Sequence, residues 1–192
     1  MNRQIITLAV IALAITVFSF TIRTQPVASS KSTQDSGPPQ APEIPDEIAY
    51  RHLFRYVTAI TKQAEEAERK GKDATSYRTH FKRMANLGDY QARMLDEIAV
   101  QYMDEVQVVD ARARALVEAY RAQYPGGKVP HGERPAPPPA ELKQLREQRD
   151  AITLRHRDNL HNVFGDGEFD RFNNEFVKRH IAPLVRQATG QQ

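Results

Sequence analysis

Apolar residues recur between Pro45 and Gly71 at the spacing of one face of an α-helix. They follow one another at intervals of three and four residues, and Phe54 widens the stripe: Tyr50, Leu53, Val57, Ile60, Ala64 and Ala67. Such intervals place side chains on one side of a helix with 3.6 residues per turn. Pro45 with two acidic residues after it is typical of a helix start, and Gly71 of a helix end. We therefore predict a first helix between them.

Two more helices are predicted before a proline-rich segment. Thr75 or Ser76 is expected to cap a short second helix that ends near Gly88. Its predicted inward face consists of Tyr77, Phe81 and Met84. A long third helix is expected from about residue 89 to 124, with the apolar stripe Leu95, Ile98, Tyr102, Val106, Val109, Ala113, Leu116 and Tyr120.

The C-terminal part of the chain predicts two further helices. The fourth follows the proline-rich segment, and its apolar stripe comprises Leu142, Leu145, Ile152, Leu160 and Val163. Arg149 and His156 occupy positions where this stripe favours apolar side chains. The fifth helix is expected over about residues 167–181, with Pro183 closing it.

No segment predicts a strand, so we expect an all-α fold. The five helices are expected to form a bundle or an elongated helical hairpin over residues 45–185. A chain of 192 residues is long enough for one such domain with a hydrophobic core. Residues 186–192 are expected to be a disordered tail.

The corner between the fourth and fifth helices is rich in acidic residues and glycine, which raises the question of a calcium loop. An EF-hand loop that starts at Asp166 needs glycine at its sixth position and glutamate at its twelfth. Arg171 and Val177 stand there, so the EF-hand is excluded. Instead, Gly165 is predicted to end the fourth helix in a left-handed turn, Asp166 to cap the fifth and Glu168 to lie in its first turn. The following phenylalanines are expected to face the core: Phe169, Phe172 and Phe176.

The N-terminus carries an uncharged apolar run, residues 5–22. A membrane-spanning helix needs about 20 such residues and a signal peptide roughly 7–15, so the run lies between the two. We interpret residues 1–24 as a signal peptide or a signal anchor, and expect the rest of the chain to be periplasmic or otherwise extracytoplasmic. Residues 25–44, rich in serine, proline and glutamine, are predicted to be a disordered linker.

The proline-rich segment 125–140 contains six prolines and three glycines and is predicted to be a loop between helices. Such segments can also be ligands for aromatic grooves. A plain connector is the favoured interpretation.

Charge and residue usage exclude several function classes. The formal net charge is +3, yet residues 43–192 hold 24 basic and 23 acidic residues, so no nucleic-acid partner is expected. The chain has no cysteine, which excludes disulfides, thiolate metal sites and cysteine nucleophiles. Ser76 is the only serine after residue 42 and has no G-x-S-x-G motif around it, so a serine hydrolase is not expected.

Six histidines make a metal site the main chemical alternative: His52, His80, His131, His156, His161 and His180. None lie four residues apart and no Glu-x-x-His pair occurs, which excludes a di-iron carboxylate bundle. Asp158 and His161 lie three residues apart on the predicted fourth helix, near His156, and His180 lies on the helix expected to fold back beside it. These four residues are the candidates for a surface zinc site. We favour ordinary hydrogen-bonded histidines, with no metal ligand and no cofactor.

Acidic clusters invite a catalytic interpretation on the first and third helices: Glu65, Glu66, Glu68, Asp96, Glu97, Asp104 and Glu105. A glycosidase-type pair requires two such groups facing one cleft. Solvated helix faces carry similar clusters routinely, so no catalytic residue and no enzyme activity are predicted. The basic and aromatic stretch 50–56 is either a docking face or a shielded part of the core stripe.

Two motifs resemble the exported Spy/CpxP group of small helical stress proteins, over about residues 75–182. They are NLGDYQ at 86–91, which opens the long helix, and FGDGEFDRF at 164–172, which joins the last two. In that group a helix begins after a short turn with roughly Leu, Thr, two variable residues and Gln. The motif at 86–91 lacks the threonine of this pattern. The motif at 164–172 has Phe164 in place of leucine and Phe169 in place of glutamine. The resemblance implies an ATP-independent periplasmic chaperone or envelope-stress sensor with a cradle-shaped, often dimeric surface.

The sequence therefore predicts an exported helical protein that binds other proteins and catalyses no reaction. It is expected to contact the membrane through residues 5–22 and to have a protein client or partner, with a homodimer as one arrangement. Two alternatives stay open, a structural or assembly partner of an envelope complex and a metal-responsive periplasmic sensor.

Overall fold

Residues 43–129, 131–132 and 134–189 are described by a computed structural model, in which they form helices and no strand. The predicted all-α class is confirmed. The predicted leader and the linker up to residue 42 lie outside these ranges. No helix of the described ranges is long and apolar enough to cross a membrane.

The first helix, α1, spans Asp46–Arg69. It begins after Pro45 with two acidic residues in its first turn, and the chain turns away where Gly71 takes a φ of 64°. Both ends lie where the sequence predicted them. The predicted stripe faces the core, although Ile60 is only half-buried; the buried residues are Ala49, Tyr50, Leu53, Phe54, Val57, Ala64 and Ala67.

The predicted second helix is divided into two short ones, α2 (Thr75–Arg78) and α3 (His80–Met84). The predicted cap by Thr75 or Ser76 is wrong. The carboxylate of Asp73 instead accepts a hydrogen bond from the Thr75 backbone N–H at 2.8 Å, which is the short-range bond that aspartate makes before a helix.

Phe81 in α3 is buried as predicted, but Met84 is 49% exposed. The break at Thr79 explains the difference, because a face drawn along one continuous helix no longer runs through both residues.

The long helix α4 spans Asp89–Arg121 and forms an antiparallel hairpin with α5, Ala140–Phe164. A short turn at Pro125–Gly127 follows α4, and the other described residues between it and α5 form no helix and no strand. The first part of the predicted α4 stripe is buried, and its last three positions are half-buried: Ala113, Leu116 and Tyr120.

The chain ends in helix α6 (Asp166–Phe172), a π-helical segment (Asn173–Ile181) and α7 (Ala182–Thr189), which follow one another without a break. The prediction that Pro183 closes the helix is wrong. Pro183 is the second residue of α7, close to the end of the π-helical segment, where the change from i→i+5 to i→i+4 bonding already leaves a carbonyl without an N–H partner. The helix therefore extends into the region predicted as a tail.

The corner before α6 has the predicted architecture with one correction. Gly165 takes φ 73° and ψ 163°, a conformation that is essentially restricted to glycine. Asp166 does not cap α6; it is the first residue of that helix, and its carboxylate lies 2.9 Å from His161 Nε2. Glu168 is in the first turn, and the phenylalanines that follow are buried: Phe169, Phe172 and Phe176.

The core lies where α1 packs against both helices of the α4–α5 hairpin. Phe54 is at its centre, with its ring centroid 4.9 Å from that of Tyr102 and 6.3 Å from that of His156. The π-helical segment closes one side, since the Tyr50 hydroxyl donates a hydrogen bond to Asn173 at 3.0 Å. One face of α4 is thus committed to the fold.

Candidate functional site

The four candidate metal residues do not come together. His156 is buried, Asp158 pairs with the adjacent Arg157, and His161 stacks on Phe169 at 4.4 Å between ring centroids. His180 is exposed beside Phe176. Within the described ranges no group of three or more histidine, aspartate or glutamate side chains is placed to hold a metal ion.

The acidic clusters are mostly occupied by basic neighbours. Glu66 pairs with Lys70 at 2.6 Å, Glu68 with Arg78 at 2.7 Å, and Glu105 with Arg155. Salt bridges of this kind are typical of solvated helix faces.

Asp96 differs, because it lines a pocket between α1, α2, α3 and α4. Burial raises the pKa of Asp96, and its carboxylate lies 3.5 Å from the Thr61 hydroxyl. The pocket offers about 10 Å³, which is room for about one water molecule. No catalytic pair of carboxylates faces it, since Asp96 is the one acid in its lining.

Stretch 50–56 contributes to the core and also to a group of charges that we call the polar layer: Arg51, Arg55, Asp110, Arg149 and Asp150. Arg51 pairs with Asp150, Arg55 with Asp110 at 2.8 Å, and Arg149 lies 3.7 Å from Asp110. Three guanidinium groups from α1 and α5 thus share two carboxylates. Burial lowers the pKa of Arg51, and the nearby Arg149 lowers it further. The polar layer fixes α1 across the hairpin at a defined position, since a shifted helix would leave these charges unpaired.

His156 lies on α5, as do Arg149 and Asp150 of the polar layer, and is 2% exposed. Its Nε2 is 3.2 Å from a Glu105 carboxylate oxygen, and its Nδ1 is buried without a partner. The ring meets those of Phe54 and Tyr102 edge-on. Burial lowers the pKa of His156, and Arg155 lowers it further. The neutral ring with its proton on Nε2 accounts for this geometry, because it donates to Glu105 and exposes no charge to the core.

The protein is expected to lose stability as the pH falls below 6.5, the ordinary histidine pKa. Burial lowers the pKa of His156, and it also lowers those of His52 and His80. The unfolded chain therefore binds more protons than the folded one in this range, so the stability present above pH 6.5 is lost on acidification. His156→Phe should reduce the fall in the free energy of unfolding between pH 7.5 and 5.5, measured by urea denaturation at the two pH values. An equally steep loss in the variant would contradict the assignment.

The face of α4 that points away from the core carries a second run of positions at helical spacing. We call it the outward stripe: Val100, Asp104, Val108, Ala111, Ala115 and Ala119. All six residues are exposed. Val100 is 44% exposed and Val108 is 68% exposed, which places both among the exposed large apolar residues of the described ranges. The spacing of four, four, three, four and four keeps the run on one side of the helix.

Charges surround the centre of the outward stripe in a regular order. Asp104 lies four residues before Val108, and Arg112 lies four residues after it. Arg112 pairs with Glu141 of α5, whereas Val108 has only solvent around most of its side chain. An acidic end and a basic end therefore flank an exposed aliphatic side chain.

The outward stripe was not predicted from the sequence, although the spacing of its residues is visible there. The inward stripe of the same helix contains larger apolar residues and dominates any search for a single face. A search of α4 for a second face would have found Val100, Val108 and the alanines at intervals of three and four.

Comparison of the chain with protein families, with curated proteins and with solved structures finds no match. The Spy/CpxP resemblance therefore stays a prediction from the sequence.

Proposed function

We propose that the protein is exported and binds other proteins in a chaperone-like or envelope-stress role, without catalysing a reaction. Residues 5–22 serve as its signal peptide or as its anchor in the inner membrane. The outward stripe of α4 is the binding surface.

The exposure of Val108 carries this proposal. A bundle needs one apolar face on each helix, and α4 already buries one against α1 and α5. Single exposed apolar residues are common on protein surfaces. Here, however, Val108 belongs to a run of six positions on one side of a helix of 33 residues.

The surface fits an α-helix of a partner or client. Alanine at three successive positions lets another helix approach closely, and the two valines supply larger contacts. The flanking charges favour a helix of opposite charge order. A second copy of the chain meets this condition when it lies antiparallel across Val108, because Asp104 of each copy then faces Arg112 of the other.

Val108→Asp is expected to reduce the protein retained by the full-length chain from detergent-solubilised envelopes at least tenfold, since it places a charge in the contact. Its free energy of unfolding should stay within about 0.5 kcal/mol of wild type, because the site is exposed. Gln144→Asp on the exposed side of α5 adds the same charge elsewhere and is the matched control.

The bound proteins and an aggregation assay distinguish the roles. Many captured proteins and suppressed aggregation of heated citrate synthase without nucleotide indicate a chaperone-like role. One stoichiometric partner without suppression indicates an assembly partner, and a doubled mass in sedimentation indicates a second copy. Equal retention by Val108→Asp and Gln144→Asp would refute the outward stripe as the binding surface.

A further inference from the structure

The loop between α4 and α5 ends in an exposed, proline-rich strip, residues 134–139, with the sequence RPAPPP. The strip has no helical or strand structure, and all its residues before Pro139 are exposed. Pro139 takes φ −52° and ψ 130°, close to polyproline II values. A left-handed helix of three residues per turn is the conformation that successive prolines favour.

Two tyrosines of α4 and its C-terminal turn hold this strip at one residue. The Tyr120 hydroxyl donates to the carbonyl of Ala136, and the Ala136 N–H donates to the Tyr124 hydroxyl at 2.8 Å. The two rings meet edge-on at 5.6 Å between centroids. Both backbone polar groups of Ala136 are therefore occupied by the protein itself.

The position of this clamp decides which ridges of the strip face outward. With three residues per turn, Ala136, which the two tyrosines hold through its backbone, shares one ridge with Pro139. Pro139 is half-buried. The two remaining ridges are a pair of prolines, Pro135 and Pro138, and a mixed pair, Arg134 and Pro137. All four of these side chains are exposed.

We infer that this strip is a docking ligand for a second protein whose surface carries an aromatic-lined groove and a carboxylate. Grooves of this class receive two ridges of a polyproline II helix between aromatic rings, and an acidic residue beside the groove pairs with a flanking arginine. The Pro135–Pro138 ridge fills such a groove, and Arg134 supplies the charged contact.

The clamp also gives the strip an advantage over a free peptide. Proline restricts the backbone before binding, and the tyrosine contacts restrict it further, so less conformational entropy is lost on docking. A plain connector needs neither feature, because it has no bound conformation to favour. The inference is independent of the outward stripe.

Photo-crosslinking of the full-length chain in intact cells tests whether residues 134–139 dock on a second protein. A benzoylphenylalanine in place of His131, an exposed residue next to the strip, is expected to form an adduct with one partner, at a site beside an aromatic-lined groove of that partner. Pro135→Ala combined with Pro138→Ala should reduce that adduct at least fivefold. Lys128→Ala, exposed in the same loop, should not. All variants should keep the wild-type melting temperature, because the changes lie in an exposed loop.

The outcomes separate this inference from the proposed function. An adduct that survives Val108→Asp but is lost in the double proline variant supports docking through the strip, whatever the outward stripe does. The absence of a light-dependent adduct would overturn it, and so would an adduct that the double proline variant retains. An adduct lost only in Val108→Asp would assign the contact to the outward stripe. That result would also overturn docking through residues 134–139.

Discussion

Replacing Phe54 with alanine is expected to lower the free energy of unfolding by about 4 kcal/mol, the usual cost of deleting a fully buried phenyl ring. Phe54 has no exposed surface and contacts aromatic residues of three helices: Tyr50, Tyr102 and His156. Removal of the ring leaves a cavity where α1, α4 and α5 meet. Because small domains are stable by only about 5–15 kcal/mol, this loss removes a large fraction of the total stability.

Urea denaturation of the purified full-length chain, followed by circular dichroism, measures this loss. Val108→Ala, on the face of α4 that points away from the core, is the matched control. Its free energy of unfolding should stay within about 0.5 kcal/mol of the wild-type value. A Phe54→Ala protein less than about 1 kcal/mol below wild type would contradict the arrangement of the core, since that is too little for a buried ring.

Asp150→Ala is expected to cost about 2 kcal/mol, because it leaves a largely buried arginine without its carboxylate. The side chains of Arg51 and Asp150 are 15% and 24% exposed. That residual exposure lets solvent offset part of the loss seen when fully buried pairs are broken. Without Asp150, the three arginines of the polar layer would share Asp110 alone.

Glu147→Ala is the control on the same helix, because it removes a carboxylate from an exposed ion pair. The Glu147 Oε1 atom lies 3.8 Å from Lys143 Nζ. The cost of this substitution should stay within about 0.5 kcal/mol. Adding Arg51→Met to Asp150→Ala should restore most of the lost stability, because it removes the unpaired charge. If Asp150→Ala costs no more than Glu147→Ala, or if the second change restores nothing, the polar layer does not fix α1.

The helices were predictable because their signals are local. The stripe of α1 and its two ends follow from residues that lie close together in sequence, and the positive φ of Gly165 follows from its place between two helical patterns. The five predicted helices correspond to α1, the α2–α3 pair, α4, α5 and the continuous α6 to α7 region.

The polar layer could only be suspected from the sequence. Arg149 stood out in an apolar stripe, and stretch 50–56 left a choice between docking and core. The partners, however, are distant along the chain: Asp150 comes 99 positions after Arg51, and Asp110 comes 55 positions after Arg55. Such pairs depend on how α1 packs on the hairpin, and no local pattern specifies that packing.

Two predictions made from local sequence patterns were wrong, because the surrounding backbone differs from the one that each pattern assumes. Proline usually ends a helix, yet the π-helical segment before Pro183 lets the helix continue. The inward face drawn through Met84 assumed one helix where there are two. The proposed binding function rests on the outward stripe, which a search for a single face misses because the inward stripe of α4 contains larger apolar residues.

We propose that one face of α4 builds the fold while the other binds a partner. The chain contains no cysteine, so a single Val108→Cys substitution allows the accessibility of that face to be measured by maleimide labelling. The label should react with Cys at this position at least tenfold more slowly in native envelopes than in the purified chain, whereas Glu147→Cys on α5 should react equally in both. Equal labelling of the Val108→Cys protein in the two preparations, with a monomeric mass of the purified chain in sedimentation, would show that nothing covers the outward stripe.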